Sequence, residues 1–243
     1  MRQASVGFHC PECARGGQQK VVTARSLGTT PYVTAALIAL NVVVFLIDLL
    51  SGTVDGLGEL GADWALYGPL VGDGDWWRPV TAGFVHSGLI HIGFNMVLLY
   101  QLGLLLEPAL GRVRFLALYF LSLLGGSFLV LVISWDQPTV GASGAVFGLM
   151  GAAVLAFRSR GIDPFSTGIP QLLGLNLLFT FVAARYISVG GHVGGLIAGL
   201  VGGWLLFELE RTGPIGKTVG TVLCGVLAAG LFAGCLYLGS NPV

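Results

Sequence analysis

The sequence predicts an all-α fold, a polytopic membrane helix bundle, and three observations carry the prediction. First, 54% of the 243 residues are hydrophobic and only 10% are charged. Soluble domains ordinarily carry about 25% charged residues, so these charges are too few to coat a water-soluble globule of this length. Second, a mean hydropathy of +0.84 points to lipid as the main solvent. Third, the 39 glycines follow no collagen-like period; in an apolar chain they mark closely packed membrane helices. Zero net charge gives no hint of a nucleic-acid partner.

Seven apolar runs follow one another, at roughly 32–50, 87–106, 115–134, 142–157, 168–184, 188–207 and 218–238. Several approach the roughly 20 residues that cross the hydrocarbon core. The fourth and fifth are shorter, which is tolerable for spans enclosed by others or opening into a water-filled cavity. Residues 1–30 hold no apolar run of the length a secretory signal needs, the first beginning near Tyr32. With the N-terminus cytoplasmic, Arg2, Arg15, Lys20, Arg25, Arg112, Arg114, Arg158, Arg160, Arg211 and Lys217 fall inside. Only Arg78 and Arg185 fall outside, ten against two. That bias supports both the orientation and the span count, and it puts the C-terminus outside. The long external segment 51–86 carries Trp64, Tyr67, Trp76 and Trp77. It reads as an interfacial aromatic belt or, in preference, a partly embedded, locally folded loop.

Polar groups inside spans are expensive, so each asks for an explanation. On the second span, His91 and Asn95 are four apart and share a face, with Gly88 close to it and His86 at the outer mouth. Interhelical hydrogen bonding would explain either residue alone. Gly141-Ala-Ser143-Gly144 opens the fourth span, and Gly144, Gly148 and Gly151 form a smooth stripe below the serine. Serine in a membrane helix usually bonds its own backbone; here small-residue turns would expose the hydroxyl and free nearby N–H groups. On the sixth span His192 shares a face with Gly195 and Gly199, and Gly203 extends the stripe. If the glycine faces of these two spans meet, Ser143 and His192 come to the same depth, near the outer ends of their helices.

This combination reads as acyl-transfer chemistry. A hydroxyl is a weak nucleophile until a base takes its proton, and histidine is the usual base near neutral pH. Asn95, His91 and the Ser143 N–H would serve the developing oxyanion. No Asp or Glu within these spans is available to orient His192, which implies a Ser–His dyad. Phe147, one turn after Ser143, either stacks on the imidazole or fills space. Two rivals remain. A transporter would more often show repeated halves and mid-membrane acids, whereas Asp48 is the only acidic residue within a span. A catalytically silent binder of membrane clients would be expected to lack the serine or the histidine.

These residues resemble those of the rhomboid family of intramembrane serine proteases. Gly141-Ala-Ser143-Gly144 is similar to the family's GxSG nucleophile motif, and His192 with Gly195 and Gly199 to its catalytic-histidine helix. His86, His91 and Asn95 match its HxxxxHxxxN pattern, whose last two members assist the oxyanion. Trp77-Arg78 matches its Trp-Arg loop signature. Glu107-Pro-Ala-Leu-Gly111, with Arg112, Arg114 and Tyr119, resembles the segment joining its second and third helices. Phe147 stands where tyrosine is frequent. The resemblance spans about residues 32–207. It implies a six-helix core, over 31–210, and cofactor-free hydrolysis of transmembrane protein substrates near the outer face of the cell membrane. Residues 211–243 then add a cytoplasmic linker and a seventh transmembrane helix, and 1–30 form a cytoplasmic N-terminal segment.

The four cysteines are of two kinds. Cys224 and Cys235 sit in an apolar run and read as small hydrophobes. His9-Cys10-Pro-Glu-Cys13 is half a zinc knuckle, offering at most three of the four ligands a structural zinc requires. It reads as the remnant of a finger, the product of a truncated or misassigned start, or an incomplete site finished by a partner; no metal is assigned to this chain alone.

Overall fold

The computed structural model describes residues 2–3, 8–9, 31–51, 53–54 and 57–242. Arg2–Gln3 (β1) pairs antiparallel with Phe8–His9 (β2), in the first of two units, 1–30. Cys10 and Cys13 lie outside the described residues, and His9 enters only as backbone of β2. The second unit, 31–243, begins with α1 (Tyr32–Leu50). Thr53–Val54 (β3) and Leu57–Gly58 (β4) form a short hairpin. Three small helices follow: α2 (Glu59–Trp64), α3 (Gly68–Gly72) and α4 (Arg78–Thr81). Then come α5 (Leu89–Leu110), α6 (Arg112–Ile133), α7 (Ser143–Ser159), α8 (Ile169–Val182), α9 (Val189–Phe207) and α10 (Pro214–Ser240).

The helices α1, α5, α6, α9 with its following turn, and α10 are long and apolar enough to cross a membrane; α7 and α8 are shorter apolar helices. Each apolar run therefore becomes one helix of an all-α bundle. α10 starts four residues before the run at 218 because Gly213, at φ 104°, and Pro214 set its first turn. Hydropathy alone misses a first turn containing Lys217. Outward faces such as Leu89, Ile90, Phe94 and Val97 on α5 are exposed and apolar, as a lipid-facing surface requires.

Glycine sets the centre of the bundle. A Cβ on Gly195 or Gly199 of α9 would overlap the backbone of Gly144 or Gly148 on α7, and one on Gly203 would come within 2.9 Å of the Ala152 Cα. α9 therefore lies on α7 main chain to main chain over three successive contacts. α6 clasps the other side: a Cβ on Gly194 would overlap the Gly125 carbonyl, and one on Gly126 would lie 2.8 Å from the Gly191 carbonyl. Lipid supplies no hydrophobic drive between helices, so such close approach is a main source of association.

Buried polar groups tie the ends. At the start of α1, Glu107 of α5 accepts the N–H of Val33 at 2.9 Å, and the N–H and hydroxyl of Thr34 at 2.7 Å each. A carboxylate thus satisfies helix-initiating N–H groups that lipid could not. Arg114 joins Glu210 at 2.7 Å and donates to the Leu206 carbonyl, while Lys217 meets the same Glu210 at 3.3 Å. Those contacts link α6, the turn after α9, and α10. The far end of α10 accepts the Trp135 indole N–H through Leu238 at 3.1 Å. Cys224 and Cys235 are buried and free.

Residues 57–86 are folded by the same means. Asp48, at the end of α1, accepts the Gly58 N–H at 3.1 Å and the Gly61 N–H at 2.5 Å. Buried Arg78 donates to the carbonyls of Ala62 at 2.9 Å and Ala65 at 2.8 Å, and pairs with Asp75 at 2.7 Å. Trp77 donates its indole N–H to the Asp63 carbonyl at 3.4 Å. Leu66 exchanges two 2.9 Å backbone bonds with Thr139, tying the loop to the segment leading into α7.

These contacts predict how stability responds to three substitutions. Gly199→Ala should cost roughly 1–3 kcal/mol, because backbone cannot yield to the new methyl, lowering Tm in detergent by several degrees. Gly225→Ala, where a Cβ meets nothing within 4 Å, should leave Tm unchanged or slightly raised. Glu107→Ala should destabilise by about 2–4 kcal/mol, since it strands buried N–H groups; denaturant titration in micelles measures it.

Candidate active site

The sequence-predicted residues converge where α5, α7 and α9 begin. Gly141 is held at φ 123° and donates its N–H to Ala82 at 2.9 Å. A Cβ there would lie 2.6 Å from His91 Nε2 and 3.8 Å from Ser143 Oγ. Glycine is therefore required twice over, by the positive φ and by the imidazole packed against the turn. α7 begins at Ser143, and Val146 is the first residue to donate back, to Ala142. The N–H groups of Ser143, Gly144 and Ala145 are thus the free donors of a helix N-terminus, where the dipole favours negative charge. Ser143 lines a cavity of about 30 Å³ with Gly141, Gly144, Ser127, Ser188 and Gly191, enough for a water molecule.

His192 is buried in the first turn of α9, whose N-cap Ser188 accepts the Gly191 N–H at 3.1 Å. Phe147 stacks on its imidazole, with centroids 4.0 Å apart and planes 20° from parallel. Of the two roles open to Phe147, the structure has it on the imidazole. Gly144 backs onto the turn before His192: a Cβ there would lie 3.1 Å from the Gly191 carbonyl. Among the described residues Ser143 and His192 are not hydrogen-bonded to each other; such bonds often tighten only when substrate arrives.

On the α5 side, His86 and His91 meet edge to face with centroids 4.9 Å apart. His86 is buried and its Nε2 accepts the Ala142 N–H at 3.4 Å. His91 Nδ1 lies 3.1 Å from Ser87 Oγ, so its Nε2 faces Gly141. Asn95 donates one amide hydrogen to the His91 carbonyl at 2.9 Å, leaving its second available. Trp77 and Arg78 hold the 57–86 loop rather than touching these groups. A larger cavity, about 270 Å³, is bounded by the end of α1, the β4 turn, His86, Ser87 and Gly88.

The sequence reading missed Thr180. Its Oγ1 lies 2.7 Å from His192 Nδ1 and 2.7 Å from the Asn176 carbonyl. The available signal was faint: a threonine four residues after an asparagine in an apolar helix usually bonds its own backbone.

A model of the Rhomboid domain matches residues 73–209. Rhomboid protease GluP of Bacillus subtilis (strain 168) is 33% identical over 225 residues, covering 91% of this chain and 43% of that protein. RHOMBOID-like protein 6, mitochondrial, of Arabidopsis thaliana is 33% identical over 171 residues, 67% of this chain and 52% of its own length. The chain thus spans about half the length of these two curated relatives. YdcA of Bacillus subtilis (strain 168) is 35% identical over 145 residues, 58% of this chain and 72% of that protein. With a domain match over more than half of its length, and with the glycine-packed helices and clustered polar side chains described above, this chain belongs to the rhomboid family.

Proposed function

We propose that the protein is an intramembrane serine endopeptidase that hydrolyses peptide bonds in or near transmembrane segments of other membrane proteins, using Ser143 and His192. The observation that carries this reading is the main-chain contact of α7 with α9. It sets Phe147, one turn below Ser143, on the His192 ring.

In this mechanism Ser143 Oγ attacks the scissile carbonyl carbon as His192 Nε2 takes its proton. The oxyanion is received by the free N–H groups at the head of α7, by the second amide hydrogen of Asn95, and by His91. His192 returns the proton to the leaving amine, and an ester on Ser143 remains. Water then attacks that ester with His192 as base, releasing the carboxylate and restoring the hydroxyl. The 270 Å³ cavity beside His86 and Ser87 supports a route for that water. His86 and Gly141 act by position, holding the turn before Ser143. No metal or organic cofactor enters this chemistry. The positive-inside distribution supports a cytoplasmic N-terminus and a site facing the extracellular side, and so cleavage toward that face.

A silent client-binding relative is the second reading; it is favoured only by the absence of a Ser143–His192 hydrogen bond.

Reconstitution in liposomes with a labelled transmembrane substrate tests the proposal. Ser143→Ala and His192→Ala should each lower cleavage by at least about 10³-fold, and equal cleavage by wild type and Ser143→Ala would refute it. A fluorophosphonate probe should label wild type at Ser143 and fail to label His192→Ala. Gly141→Ala should keep the fold yet lower kcat about 10²-fold, through strain at φ 123° and displacement of His91.

A further inference from the structure

We propose that Thr180 is a positioning residue for His192, its hydroxyl holding the imidazole in the tautomer that leaves Nε2 free to accept a proton. The inference rests on the Ser143–His192 reading above and deepens it.

The argument is a count of protons. Thr180 Oγ1 lies 2.7 Å from the Asn176 carbonyl and 2.7 Å from His192 Nδ1. A hydroxyl has one proton, and a carbonyl can only accept. Without a proton between them, two oxygens at 2.7 Å would repel. The Thr180 proton therefore points to Asn176, and the second contact is made by Nδ1–H donating to Thr180. With its proton on Nδ1, the neutral imidazole carries its lone pair on Nε2, as a base for Ser143 requires. When Nε2 takes the serine proton, the ring becomes a cation and the Nδ1–H bond to Thr180 becomes charge-assisted and stronger. The contact thus gains strength as the reaction proceeds.

Burial separates this from ordinary back-bonding. Thr180 is 0% exposed and His192 9%, so water does not compete for either group. Thr180 is also the one buried residue of α8. Its neighbours Phe179, Phe181 and Val182 are exposed. Among the described residues, it makes the only side-chain hydrogen bond from α8 to another α-helix, Gln171 reaching only the 3₁₀ turn just before α8. A helix with so little of itself inside buries, of all its side chains, the one that meets the imidazole. Phe147 fixes the plane of the ring, and Thr180 fixes which nitrogen carries the proton.

The test uses the full chain in lipid with ¹⁵N-labelled histidine, the His192 signals assigned from a His192→Gln sample. Wild type and Thr180→Ser should show His192 protonated at Nδ1, whereas Thr180→Val should show mixed tautomers or the Nε2–H form. Against the transmembrane substrate, Thr180→Val should lower kcat roughly 10–100-fold with KM within about twofold, and Thr180→Ser should recover most of it. Thr180→Ala is a second hydroxyl-free variant to be read in the same way should the valine fail to fold. The proposal is overturned if the hydroxyl-free variants keep the Nδ1–H tautomer, or if serine does not rescue kcat. Full cleavage by Ser143→Ala would instead remove the protease reading, and the ¹⁵N signals would still report on Thr180.

Discussion

Everything at the site depends on the contact between α7 and α9, where two main chains touch with no side chain between them. Gly195 sits on Gly144, Gly199 on Gly148, and Gly203 on Ala152. The three contacts fix the relative rotation and depth of the two helices together, so neither can slide without driving a Cα into a neighbour. Depth decides whether a residue at the head of α7 and one in the first turn of α9 occupy the same level. α6 locks the arrangement from the opposite side through Gly125 and Gly126, leaving α9 enclosed by two backbones. In lipid, where apolar side chains gain little by leaving their surroundings, such enclosure is what makes a short helix like α7 stay in place.

The polar side chains of the bundle fall into two groups with different physics. Asn41, Ser122 and Asn176 bond carbonyls four residues back on their own helices, at 2.8 Å each. Their side-chain donors are satisfied on their own helices, although the buried Oδ1 of Asn41 has no hydrogen-bond partner among the described residues. Glu107, Asp48, Arg78 and Arg114 instead reach across the chain to backbone or charge partners more than a helical turn away. Each meets groups that would be costly to bury unpaired, and each closes one junction. Glu107 fixes the start of α1, Asp48 and Arg78 the loop after it, and Arg114 the turn before α10. The site is held from its periphery by these ties and from its centre by glycine.

Some of this was legible in the amino-acid order. Hydropathy marks each long apolar helix because a span needs a long apolar run; helix ends containing residues such as Lys217, and the short helices α2, α3 and α4, carry no such signal. Ser143, Gly141, His91, Asn95 and His192 stand out because polar groups and paired glycines are conspicuous against an apolar background. The glycine stripes at 144, 148, 195 and 199 gave the two helices that meet. Thr180 did not stand out, because a threonine's usual partner is its own backbone and the contact with His192 spans a turn between helices. Glu107 was noticed within a family-like segment, but its service to Val33 and Thr34, more than 70 positions away, leaves no local signature. Asn95, read from the sequence as a donor to the oxyanion, has one of its two amide hydrogens bonded to the His91 carbonyl.

The sequence by itself determined the class of fold, the order of the long apolar helices, and the residue types at the candidate site. Those properties follow from solvent preference and spacing along the chain, which are local. Only the tertiary structure decided that Phe147 lies on the His192 ring, that His91 abuts Gly141, and that Thr180 faces Nδ1. Such contacts depend on the rotation and depth of one helix against another. These are set by which backbone atoms first collide, and that outcome is written across several helices at once rather than in any one of them.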